Sequence, residues 1–121
     1  QEPRAEIIAY GTVGVVSRGG QDYRYTRVLE MIATGYTAGP ESNPVGDGYT
    51  YTGIRAERGV VAVDPNVIPL YSRLYVEGYG PAIAADIGGA IKGNRIDLCF
   101  DTVAEALEWG VRPVTVYVLD E

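Results

Sequence analysis

Histidine is absent from this 121-residue chain, and cysteine, methionine, tryptophan and phenylalanine occur once each. With no imidazole to activate a serine or cysteine, the triad and dyad nucleophile classes are excluded. A lone Cys99 closes no disulfide within the chain. Set between Leu98 and Phe100, it reads as a small buried hydrophobe, with an intermolecular disulfide or a reactive thiol as the alternative. Basic residues number 10 against 16 acidic ones, a net charge of −6, and nowhere form a dense cluster. The electrostatic footprint of a nucleic-acid binder is therefore missing, and a neutral or wall-type polymer is the more compatible partner. No apolar run reaches the length of a membrane-spanning helix. No leader is visible, and a chain beginning at Gln1 is expected to be a mature or trimmed form.

What is present favours strands. Sixteen Gly and seven Pro among abundant Val, Ile and Tyr suit short strands and tight turns, so the expected class is mainly β, in one domain. Glu6 to Ser17 reads as two short strands broken around Gly11 and Gly14, and the polar Arg18 to Arg27 as a linker or exposed hairpin. A soft boundary near Val28 makes residues 1–28 an extension or the tail of a preceding module, and residues 29–121 the domain. Strand-like runs follow at Val28–Thr37, Gly59–Asp64, Arg73–Glu77, around Asp86, before Asp101 and at Pro113–Asp120, a spacing suited to a small barrel or sandwich. Ala38 to Gly53, rich in Gly, hydroxyls and aromatic rings, is a loop and a candidate cleft wall. Thr102, with Glu105 three places on and Gly110 as a stop, predicts a short helix near the C-terminus. Asp101 is the alternative cap and is assigned that role.

The chemistry begins with aspartates. Asp64, Asp86 and Asp97 each end or interrupt an apolar run, where desolvation and like charge can raise a carboxyl pKa. A general acid useful near neutrality must be lifted from about 3.9 to roughly 6, a shift worth about 2.7 kcal/mol. Glycoside chemistry uses such carboxyl pairs and needs no histidine, cysteine or cofactor. Two other readings stay open on spacing alone. The aspartates could hold a hard cation, although the alternating oxygen-ligand spacing is absent, or they could accept backbone N–H bonds in turns, as Asp64-Pro65 suggests. The glycines around the isolated Lys92 carry no phosphate-binding signature.

Four stretches carry a family resemblance: M-I-A-T-G-Y-T at Met31–Thr37, G-V-V-A-V-D-P-N-V-I-P-L at Gly59–Leu70, G-Y-G-P-A-I-A-A-D-I-G-G-A-I-K-G-N-R-I-D at Gly78–Asp97 and W-G-V-R-P-V-T-V-Y-V-L at Trp109–Leu119. In that order they resemble the 3D, or Asp-Asp-Asp, domain family of Gram-positive stationary-phase and sporulation wall proteins. That family is related to the catalytic part of membrane-bound lytic transglycosylase A. The resemblance implies a six-stranded double-psi β-barrel, secreted or wall-attached, that cleaves peptidoglycan glycan strands without cofactor or metal. It implies Asp97 as catalytic acid/base, Asp86 as its electrostatic partner and Asp64 as an orienting support. Thr37 and Tyr36 are expected at the groove edge with Tyr51 and Thr52 opposite, and Lys92 as a further substrate contact. Two departures stand out: I-P-L-Y-S at Ile68–Ser72 where relatives commonly read I-P-L-G-T, and D-I-G-G from Asp86 where they read D-T-G-G. Separately, Glu6–Thr12 resembles the last strand of a G5-type wall-adhesion module. The same barrel implies two alternatives, a glycoside hydrolase and a carbohydrate-binding module.

Overall fold

The computed structural model describes residues 14–37 and 49–119. In chain order these form β1 (Gly14–Arg18), β2 (Gln21–Thr37), β3 (Val60–Ala62), β4 (Arg73–Val76), β5 (Gly80–Asp86), β6 (Arg95–Phe100), α1 (Val103–Trp109) and β7 (Arg112–Leu119). Period-two alternation decides which side of each strand is covered. In β7 the valines at 114, 116 and 118 are buried, in β4 Leu74 and Val76, in β6 Ile96 and Leu98, and in β2 Met31 and Ala33. These side chains meet Val61, Val63, Ile68 and Ala84 in one core.

Six strands close into a barrel. β2 runs parallel to β6, which is antiparallel to β3; β3 is parallel to β5, and β5 antiparallel to β4. β4 then pairs antiparallel with β7, and β7 returns antiparallel to β2, so the ring has no open edge. Two parallel pairs inside a closed six-strand ring agree with the double-psi barrel expected from the sequence.

The stretch from Arg18 to Arg27 holds the turn and the opening residues of a β1–β2 hairpin appended to this ring, and β2 continues unbroken through Val28 to Thr37. Gly19 and Gly20 turn the hairpin with φ of 60° and 81°, the doubly left-handed turn that matches strand twist. Of the two strands expected over Glu6–Ser17, the part before Gly14 lies outside the described residues.

The helix forms where Thr102 and Glu105 predict it. Thr102 accepts from the Glu105 amide, Glu105 answers to the Thr102 amide, and Gly110 closes the C-terminal end. Asp101 is therefore not the cap; its carboxylate accepts from the backbone N–H of Arg58 at 3.3 Å. One residue decides this, because the capping box needs its partner at the third helical position and only Thr102 has Glu105 there. Trp109 seats the helix, donating to Ala33 O at 3.3 Å and packing its ring 5.8 Å from that of Phe100.

Candidate functional site

Pairing register assembles the site before any side chain is considered. Thr34 in β2 is the partner of Asp97 in β6, Asp97 is the partner of Ala62 in β3, and Ala62 is the partner of Asp86 in β5. Thr34, Asp97, Ala62 and Asp86 thus form one row across four adjacent strands. Because Ala33, Ile96, Leu98, Val61 and Val63 fill the barrel, alternation turns Thr34, Asp97 and Ala62 to the outer wall, and a bulge between the Val61–Ala84 and Ala62–Asp86 pairs turns Asp86 there as well. Two strand spacings separate the aspartate backbones, about 9–10 Å. The methyl of Ala62 between them leaves room for a cleft of about 320 Å³, lined by Tyr36, Tyr49, Ala62, Asp86, Ile87, Gly88, Ile91 and Asp97.

Asp97 is half-buried, and burial raises its pKa. The Thr34 hydrogen bond and the positive Arg95 oppose that rise, while the charge of Asp86 adds to it. Thr34 Oγ1 donates to Asp97 Oδ1 at 2.9 Å, which fixes the carboxyl's orientation and leaves Oδ2 to carry a proton. Asp86 is held differently. Its Oδ1 accepts the backbone N–H groups of Tyr51 and Ile87, each at 3.0 Å, an arrangement suited to a carboxylate. The row therefore pairs a carboxyl pushed toward its neutral form with an anion locked in place.

Asp64 stands apart from the cleft lining. It is buried, its Oδ1 accepts from Asn66 N at 3.0 Å and its Oδ2 from Gly93 N at 2.9 Å. Those backbone bonds, Gly93 first, hold its pKa below the ordinary carboxylate range, with nearby Lys92 adding to the effect. The expectation that its position could raise the carboxyl is thereby corrected. The open turn reading describes Asp64, which ties the segment after β3 to the turn that launches β6. Lys92 is exposed beside it and does not line the cleft.

The expected substrate contacts divide. Tyr36 lines the cleft, but its hydroxyl is buried near the Cys99 thiol without a nitrogen or oxygen partner among the described residues, and burial pushes its pKa up. It is a wall and not a proton carrier. Thr37 is 3% exposed and does not line the cleft. Thr52 uses its hydroxyl and amide on Ala85 O, at 2.9 and 3.2 Å, so it docks the 49–55 segment onto β5. Tyr51 reaches Asp86 through its backbone; its ring stands exposed. Of the Ala38–Gly53 loop, residues 38–48 lie outside the described residues, and Tyr49 lines the cleft. Cys99 is fully buried, and burial pushes its thiol up to about 11, in keeping with the inert reading.

Sequence reasoning missed Thr34 and Ile91; Tyr49 lies in the loop expected as a cleft wall, and Ile87 is the departure noted beside Asp86. Thr34 lies inside the quoted M-I-A-T-G-Y-T, but only the long-range parallel register shows which residue it meets. Among the described residues no three carboxylate or thiol groups converge as a metal cage requires.

The family model for the 3D domain matches residues 59–120. The cell wall-binding protein YocH of Bacillus subtilis is 51% identical over 100 residues, which cover 78% of this chain and 33% of YocH. YabE of the same organism, provisionally named a cell wall shaping protein, is 44% identical over 110 residues, 88% of this chain and 26% of YabE. The chain thus spans a third or less of the length of these two relatives. Among solved structures, MltA of E. coli, a lytic transglycosylase also solved with bound chitohexaose, superposes with a TM-score of 0.50 at 27% identity, over 60% of this chain and 27% of MltA. An expansin of Clavibacter michiganensis, solved with cellohexaose, shares the fold with a TM-score of 0.53 at 18% identity, over 78% of this chain and 50% of the expansin.

Proposed function

As the chain belongs to the 3D domain family, we propose that it is a wall-associated lytic transglycosylase that cleaves the MurNAc-β-1,4-GlcNAc bond of peptidoglycan, with Asp97 as the single acid/base. The observation that carries this reading is the row itself: a carboxyl raised by burial, oriented by Thr34, facing a carboxylate across the gap over Ala62. Protonated Asp97 donates to the glycosidic oxygen as that bond breaks and positive charge grows at the anomeric carbon. The Asp86 anion favours that charge. Asp97, now a carboxylate, takes the proton from the MurNAc 6-hydroxyl while its oxygen bonds to the anomeric carbon of the same sugar. Asp97 is left protonated, and the product ends in 1,6-anhydromuramic acid. Asp64 acts at a distance, by holding the turn from which β6 brings Asp97 into the row.

The test is digestion of purified peptidoglycan by the protein, by Asp97→Ala and by Asp86→Asn, read by mass spectrometry for 1,6-anhydromuropeptides. The parent is expected to release them, Asp97→Ala to lose at least about a hundredfold in rate and Asp86→Asn less. Equal release by Asp97→Ala would remove the assignment.

A second reading, a wall-binding module without turnover, is favoured by the name of YocH and by the exposed ring of Tyr51. It gains if the parent binds peptidoglycan and releases nothing. A hydrolase on the same barrel would instead yield reducing ends.

A further inference from the structure

Tyr71 is the one non-glycine residue with positive φ among the described residues, at 75°. Glycine takes that conformation without strain, whereas a Cβ there crowds the backbone. Strain of this kind persists where the side chain supplies a compensating contact or serves a function. No polar, ring or cation contact of the side chain offsets it among the described residues. The side chain is 63% exposed, and neither ring nor hydroxyl makes a hydrogen bond, ring contact or cation contact.

The backbone of Tyr71 is nevertheless tightly placed. Its N–H donates to Ala84 O at 2.6 Å, and Ser72 O accepts from Ala84 N at 2.9 Å, so the segment just before β4 continues the β4–β5 ladder toward Asp86. Tyr51, 67% exposed, is attached to the same strand end through its amide on Asp86, next to Thr52 on Ala85. Two unpartnered tyrosines are thereby fixed to the three residues that end in the cleft's anion.

We propose that Tyr71, with Tyr51, forms a sugar-stacking subsite beside the Asp86 end of the cleft and gives this chain added grip on long β-1,4-linked glycans. The inference rests on the glycan reading of the cleft. A pyranose ring offers an apolar face that packs on an aromatic ring, and an exposed tyrosine held by a rigid backbone presents that ring at little entropic cost. Other binders of an exposed tyrosine, such as a protein partner, would not require its placement against the strand that carries Asp86.

The experiment measures chitohexaose and peptidoglycan binding by calorimetry and sedimentation in an Asp97→Asn background, which stops turnover. Tyr71→Gly is expected to raise the thermal midpoint, because the strain is relieved, while weakening binding about three- to tenfold. Tyr71→Phe is expected to bind as the parent does. Tyr71→Gly binding equal to the parent's would overturn the subsite and leave the cleft reading intact. A lower midpoint for Tyr71→Gly would also overturn it, by showing that the ring is held by packing. Absence of any binding by the parent background would overturn the glycan reading and the subsite together.

Discussion

Asp97 and Asp64 are the same residue type in opposite electrostatic situations, and the difference is hydrogen-bond supply. Asp64 receives two backbone amides and is held low; Asp97 receives one hydroxyl against the cost of burial and is raised. A raised carboxyl destabilises the fold once ionised, so its contribution is most favourable below the ordinary carboxylate range and worsens as pH rises through the raised pKa. Asp97→Asn, which keeps an acceptor for Thr34, is therefore expected to raise the thermal midpoint at neutral pH, with the gain vanishing in acid; a constant gain at all pH would place the effect elsewhere. Thr34 can be separated from mere packing by its effect on titration. Removing its donor in Thr34→Val takes away a hydrogen bond that lowers the Asp97 pKa, so the alkaline limb of the rate profile should move to higher pH and the rate should fall about tenfold. Thr34→Ser should restore both. An unmoved limb with a reduced rate would make Thr34 structural.

At the scale of elements, β3 contributes the least bulk and the most consequence. Its Ala62 is paired with Asp86 on one side and Asp97 on the other, and the cleft exists because that side chain stops at a methyl. Ala62→Val suits a strand and keeps the ladder, yet fills the gap between the carboxyls. It is expected to reduce glycan cleavage at least about tenfold with near-parental circular dichroism; undiminished cleavage would place the substrate elsewhere.

The sequence made most of these elements legible and left their pairing hidden. Val114, Val116 and Val118 announce β7 by alternation, and Thr102 with Glu105 announces α1 by cap chemistry. The long β2 was not announced as one strand. Its first residues do alternate, with Tyr23 and Tyr25 packed on Tyr75 and Tyr117, but tyrosines among Gln21, Asp22, Arg24 and Arg27 make a weak apolar signal, so Arg18–Arg27 reads as polar linker or hairpin. Registers are invisible for a different reason. Thr34 and Asp97 are 63 residues apart, and nothing local to either one encodes the other. Asp101 is one residue off the cap and Thr37 is buried beside the cleft, whereas Asp86 and Asp97, which line one cleft, stand out because a carboxylate in an apolar run is conspicuous wherever its strand lies.

Over the whole molecule, a closed barrel gives an outer wall on which four side chains from four strands keep register through backbone pairing. That fixed register suits chemistry that needs one proton placed twice, first on a leaving oxygen and then back from an attacking one within the same sugar. The chain spans a third or less of the length of YocH and YabE, yet it carries the whole row, so the proposed transglycosylase reading predicts turnover of purified walls by this chain alone. The most direct measurement of this is digestion of peptidoglycan in ¹⁸O-labelled water, with the released glycan ends weighed. Intramolecular attack predicts ends lighter than the hydrolytic product by one water and free of label. Ends that carry one ¹⁸O would mean that water is the nucleophile and would contradict the transglycosylase account.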